Sequence, residues 1–169
     1  MHSPEDEDDF AAFVRARQHA LVRFGYLLTG DRMSGEDLTQ TALAKLYLKW
    51  ETIRSSEAIE AWVRKVMVNE HTTWWRRAWR HRERLDFDTA HSDTRPGSLG
   101  SDHGPVDDDL WRQVLTLPPR QRAAVALRYY EDLTEAQTAE ILGCSIGTVK
   151  SQTHRALASL RTKLEEVPA

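Results

Sequence analysis

TEAQTAEILGCSIGTVKSQTHRALASLRTKL, residues 134–164, holds two short helical patterns that meet at a tight turn. Thr134 is placed to cap the first helix, and Gln137, three residues on, to reach back in a capping box. Ala136, Ala139, Ile141 and Leu142 give that helix a small apolar face. Gly143 suits the left-handed position after its last turn. Ser145 caps the second helix, whose Ile146, Val149, Leu157, Leu160 and Leu164 fall within an arc of about 80° and are expected to pack inward. Lys150, Ser151, His154 and Arg155 lie away from that stripe, in the part of a recognition helix that meets base edges in a major groove. From Ser145 to Leu164, two lysines and two arginines stand against no acidic residue. The pattern is the outline of a helix-turn-helix. From spacing alone two readings stand, a DNA reader and a plain helical hairpin with a solvated basic face.

The rest of the chain bounds the choice. Its 169 residues, 40% of them hydrophobic, suit one or two small domains with modest cores. No apolar run approaches the ~20 residues that span a bilayer, and the opening HSPEDEDD has neither the basic start nor the apolar core of a secretory signal, so a cytoplasmic protein without membrane insertion is expected. Cys144 is the single cysteine, which excludes an internal disulfide and a paired-cysteine zinc site. His71 and His81, ten residues apart on one helical pattern, are too distant to form a metal pair. Neither a phosphate-cradling glycine loop nor a nucleophile elbow occurs. No enzyme, metal, cofactor or small-molecule substrate is therefore expected.

Net charge is −3, but its distribution says more than the sum. His71–Arg84 carries five arginines against Glu83, and Asp86–Asp109 carries seven aspartates against Arg95. Two basic islands flank an acidic bridge. Upstream, Phe10, Phe13, Val14, Leu21, Phe24 and Leu28 mark a long amphipathic helix that Gly30 ends. Ser34 with Asp37 reads as the next cap, and Leu38, Ala42, Leu46, Tyr47 and Trp50 as the apolar face of a second helix running through Lys49. Its other face presents Asp37, Gln40, Thr41, Ala44 and Lys45.

A third pattern runs from Ala58 to about Arg84 with Ile59, Trp62, Val63, Val66 and Met67 on one arc. Arg76, Arg77, Arg80 and Arg84 overlap that arc on an ideal wheel, so the arginine end must project beyond the core or the helix must bend. Trp74, Trp75 and Trp79 interleave with arginines, either as stacking faces for unpaired bases or as core, while Trp62 reads as core. Asp86 to Pro105, glycine- and proline-rich without periodicity, reads as a flexible acidic linker. Beyond it, Leu110, Val114 and Leu117 start a helix, Pro118-Pro119 stops it and opens another, and Val125, Leu127, Tyr129 and Tyr130 lead into the hairpin.

With both islands laid out, GEDLTQTALAKLY at 35–47, AWVRKVMVNEHTTWWRRAWR at 61–80, LPPRQRAAVALRYYEDLT at 117–134 and ILGCSIGTVKSQTHRAL at 141–157 resemble, in order, a group IV, extracytoplasmic-function (ECF) sigma factor of bacterial RNA polymerase, in its actinobacterial SigE-like branch. The resemblance implies an all-α fold of two small helical domains: sigma domain 2 over 9–85, the linker over 86–105, and sigma domain 4, with the helix-turn-helix, over 106–165. It implies core polymerase as partner, through the β′ clamp and the β flap, with Asp37, Gln40 and Ala44 at the clamp contact. It implies promoter DNA as the second partner. The −10 element would be read by Thr52, Ile53, Arg54, Ser55, Ser56, Asn69, Arg76, Arg77 and Arg80, and the −35 element by Lys150, Ser151, His154 and Arg155. An anti-sigma factor is compatible with this layout. The competing reading is a stand-alone helix-turn-helix regulator, which requires neither the segment Trp62–Arg84 nor a docking face on the second helix.

Overall fold

The computed structural model describes residues 2–53, 56–85 and 108–166, and every described element is helical. Arg54, Ser55 and the proposed linker 86–105 lie outside the described residues. The chain divides into two compact units, Met1–Thr94 and Arg95–Ala169.

In the first unit, α1 spans Pro4–Thr29, α2 Arg32–Lys49 and α3 Ser56–Leu85. α1 starts earlier than its apolar periodicity indicates. Ser3 caps it, accepting from the Asp6 N–H at 3.2 Å, while the Asp6 carboxylate accepts from the Ser3 N–H at 3.2 Å and Oγ–H at 2.7 Å. Gly30 ends α1 at φ 77°, donating to the Tyr26 carbonyl. A side chain with Cβ reaches that conformation only at a cost.

Because Gly30 reverses the chain so sharply, α2 begins two residues on, and the cap is Asp31 rather than Ser34 with Asp37. Asp31 Oδ2 accepts from the Ser34 N–H at 2.9 Å and the Ser34 hydroxyl at 2.8 Å. These bonds, the backbone one foremost, hold the Asp31 carboxyl below its usual value. Its folded pKa is depressed, so the cap's stabilisation is present above the unfolded aspartate value of about 3.9 and is lost as pH falls through the lower folded one. Asp31→Ala is expected to cost about 1 kcal/mol at neutral pH in urea unfolding, and the gap to wild type to close in acid. Asp31→Asn should keep the cap without the acid dependence.

α1 and α2 approach closely at two glycines. A Cβ on Gly25 would lie 2.7 Å from the Gly35 carbonyl oxygen, and one on Gly35 2.7 Å from the Tyr26 amide nitrogen. Around this contact Leu21, Phe24, Leu27 and Leu28 of α1 meet Leu38, Ala42, Leu43 and Leu46 of α2, with Ile59, Val63 and Met67 of α3, all buried. Trp50, also buried, closes one end of this core with Phe10 and Phe13, at centroid separations of 5.4 and 5.9 Å. Glu60 of α3 takes Arg17 of α1 at 2.8 Å and its own-helix Arg64 at 3.1 Å, and Lys45 of α2 pairs with Glu70 of α3.

In the second unit, α4 spans Asp108–Val114, α5 Pro119–Val125, a π-helical turn Ala126–Tyr130, α6 Glu135–Leu142 and α7 Ile146–Glu165. Pro119 opens α5, where its missing N–H costs nothing. Val114, Leu117, Val125, Ala156 and Leu160 form one core cluster with Trp111 packed against it, and Trp111 meets Tyr130 edge-on at 5.4 Å. Leu110 is exposed, and the short α4 turns Trp111 and Val114 inward. Arg122 is buried, and its Nη1 donates to the Leu115 carbonyl at 2.9 Å, satisfying an acceptor beyond the end of α4. Burial pulls its guanidinium below the usual value.

Candidate polymerase and nucleic-acid interfaces

The helix-turn-helix forms as its local chemistry dictates. Thr134 and Gln137 complete a reciprocal capping box, at 2.9 and 3.1 Å. Gly143 adopts φ 66°, and the Cys144 N–H donates to the Ala139 carbonyl at 3.1 Å, which closes the end of α6. Ser145 then caps α7 through the Thr148 N–H at 3.1 Å. The apolar face of α6 is corrected at one place: Ala136 is exposed, and Thr138 is buried beside Ala139 and Ile141.

The inward face of α7 also differs from expectation. Val149 and Leu160 are buried, but Ile146, Leu157 and Leu164 are exposed, and Ala156 and Thr153 complete the buried arc on either side of Val149 and Leu160. The buried arc is thereby turned toward Ala156, by about 30° from the aliphatic stripe, which leaves the larger aliphatics on the flank. Thr153 loses no hydrogen bond by burial, since its hydroxyl donates to the Val149 carbonyl at 2.9 Å.

That rotation leaves Lys150, Ser151, His154 and Arg155 exposed together, opposite the buried residues. Ser151 Oγ–H donates to the Gly147 carbonyl at 3.1 Å, leaving its oxygen lone pairs outward. A Cβ on Gly147 would meet only Ser145 Oγ, at 3.8 Å, so this face is open to an approaching backbone.

On α2, Asp37, Gln40 and Ala44 are all exposed, and the opposite side, with Leu38, Thr39, Ala42 and Leu46, is fully buried. Leu48 and Met33, which belong to no apolar stripe, stand on the same outward face. Their signal was an apolar residue out of register with the apolar stripe.

After α2 the chain turns through Thr52, exposed, and Ile53, half-buried, with both N–H groups donating to the Lys49 carbonyl at 3.0 and 3.1 Å. Ser56 opens α3. α3 is one uninterrupted helix to Leu85, and among its described side chains Val68 is the last buried one. His71, Thr72 and Trp74 are half-buried, and Asn69, Arg76 and Arg77 are exposed. Where the apolar and arginine arcs overlap, the two described arginines, Arg76 and Arg77, lie beyond the last buried described residue. By helix register, Asn69, Arg76, Arg77 and Arg80 share an arc of about 100°. The side chains of Ser56, Trp75, Trp79 and Arg80 fall outside the described ones, and Trp62 is half-buried.

Two family models match the chain: Sigma-70 region 2 over residues 13–81 and Sigma-70, region 4 over residues 107–160. The RNA polymerase sigma-E factor of Streptomyces coelicolor is 41% identical over 157 residues, which cover 92% of this chain and 86% of that one. The ECF RNA polymerase sigma factor SigE of Mycolicibacterium smegmatis is 32% identical, over 88% of this chain and 59% of its own length. Among solved structures, the sigma factor RpoE of Bartonella quintana, crystallised with the anti-sigma factor NepR, superposes with a TM-score of 0.75 at 26% identity, over 95% of this chain and 99% of that one. CnrH, in complex with the cytosolic domain of CnrY, shares the fold with a TM-score of 0.63 at 15% identity. The chain belongs to the sigma-70 family, in its extracytoplasmic-function type, and its role is that of a promoter-directing sigma factor. No helix among the described residues is long and apolar enough to cross a membrane.

Proposed function

We propose that this chain acts in the cytoplasm as a non-catalytic subunit that core RNA polymerase borrows to choose promoters, each unit reading one promoter element. The observation that supports it best is the pairing in one chain of a region 2 unit, with an exposed polar face on α2, and a region 4 unit whose recognition helix leaves its basic face open. A self-contained regulator has no use for the first.

In this reading Asp37, Gln40 and Ala44 meet the β′ clamp, and the region 4 unit meets the β flap. Thr52, Ile53, Arg54, Ser55 and Ser56 border a pocket for an unpaired −10 base. Asn69, Arg76, Arg77 and Arg80 follow the backbone of that strand. Stacking and phosphate contacts to the open strand, at ~1–3 kcal/mol per stacked base, offset the cost of unpairing, so no nucleotide hydrolysis is needed. Lys150, Ser151, His154 and Arg155 read the −35 duplex in its major groove. The domain boundaries 9–85, 86–105 and 106–165 belong to the same proposal. An anti-sigma factor is a further partner, a reading supported by the NepR complex of the Bartonella quintana relative.

Permanganate footprinting of promoter complexes tests this. Permanganate-reactive, unpaired thymines near −10, and in a parallel DNase I footprint protection near −35, are expected only when both the chain and core polymerase are present; the same pattern with either alone would contradict it. Lys150→Ala and Arg155→Ala should each weaken promoter binding by ~1–3 kcal/mol with relaxed preference at one base if the contact is to a base edge. For a phosphate contact, binding falls evenly across sequences and the salt slope drops by about one. Unchanged binding and preference would remove that residue from the interface.

A further inference from the structure

Met33 and Leu48 are the two most exposed large apolar side chains among the described residues, at 72% and 76%. Both lie on α2, one at its first turn and the other at its last. At 100° per residue, Met33, Asp37, Gln40, Ala44 and Leu48 fall within an arc of about 80°, and the 15 residues between the two ends span about 22 Å. The buried side of the helix, Gly35, Leu38, Thr39, Ala42, Leu43 and Leu46, is centred opposite. The outward face is therefore a polar centre with an apolar knob at each end.

Neither knob serves this unit's own fold. A single exposed leucine or methionine is ordinary, but these two stand at the two ends of one helix face, and burying each against a partner removes apolar area worth about a tenfold change in affinity or more. Tyr47, on the edge of the same face, is already engaged by Phe10 and His2, at centroid separations of 5.2 and 4.4 Å.

We propose that Met33 and Leu48 are the apolar anchors of the polymerase contact, with Asp37 and Gln40 setting register between them. The occupant is core RNA polymerase, at an elongated surface at least ~22 Å long with an apolar hollow near each end and hydrogen-bonding groups between. The inference rests on the reading of α2 as the docking helix. It explains how a face with a single formal charge, Asp37, can hold a large partner: interface affinity comes from a few buried apolar anchors ringed by polar contacts.

The test is competition binding of the full chain to purified core polymerase, with Met33→Gln, Leu48→Gln, the double variant and Asp37→Ala/Gln40→Ala. Glutamine keeps helix propensity close to that of the residues replaced, and circular dichroism with thermal unfolding checks that the fold is kept. About tenfold weakening is expected for each single variant and about a hundredfold for the double, since sites ~22 Å apart add. A double variant within twofold of wild type, while Asp37→Ala/Gln40→Ala weakens binding, overturns the anchors and leaves the docking helix standing. If no α2 variant changes affinity, the docking reading itself fails.

Discussion

Gly25→Ala should destabilise the chain by about 3 kcal/mol, although alanine in a helix interior normally stabilises by up to ~1 kcal/mol relative to glycine. The added methyl would stand 2.7 Å from the Gly35 carbonyl oxygen. That atom is backbone, held in α2 and also accepting from the Thr39 hydroxyl at 2.8 Å, so it has no rotamer by which to yield. α1 and α2 must separate, and Phe24, Leu28, Leu38 and Ala42 lose contact together. Gly35→Ala, with its methyl 2.7 Å from the Tyr26 amide nitrogen, should cost about as much. The double variant should cost less than the sum, because one separation relieves both clashes. Denaturant unfolding measures all three, and a stabilised Gly25→Ala would show that the helices do not meet there.

The second large effect is expected at Trp50. Replacing this buried indole with alanine empties the space between Phe10, Phe13 and the end of α2, at a cost of ~3–5 kcal/mol. Its consequence reaches function through position, because Thr52 and Ile53 follow directly and take their shape from bonds to the Lys49 and Trp50 carbonyls. Trp50→Ala should therefore impair −10 opening even under conditions where the variant remains folded, while leaving −35 binding by the second unit intact. Trp50→Phe should recover most of both stability and opening. Full promoter opening by a folded Trp50→Ala chain would detach the aromatic cluster from the proposed −10 loop.

Much of this architecture was legible in the residues because its signals are local. The capping box of Thr134 and Gln137, the left-handed glycines 30 and 143 and the opening Pro119 act within one helical turn, and each stands where the spacing placed it. On α2 the polar part of the exposed side, Asp37, Gln40 and Ala44, was equally readable, whereas Met33 and Leu48 on it were not, and Tyr47, expected on the apolar face, is exposed at its edge.

What escaped depends on contacts between elements. The buried arc of α7 includes the small Thr153 and Ala156, which carry no aliphatic signal, while Ile146, Leu157 and Leu164, expected inside, are exposed. The cap of α2 moved to Asp31 because Gly30 ends α1 more abruptly than Ser34 and Asp37 alone suggest. The start of α1 at Pro4 rests on the Ser3–Asp6 box, hidden in a segment that otherwise reads only as acidic. The DNA-facing residues are legible as exposed and basic, while what they touch is a property of the assembled promoter complex.

The decisive measurement is run-off transcription by purified core RNA polymerase on a library of promoter fragments, with and without the full chain. Initiation is expected at a defined subset of templates only when the chain is added, those templates sharing a −10 and a −35 element, with Lys150→Ala or Arg155→Ala shifting the −35 preference. Absence of chain-dependent initiation on every template would contradict it.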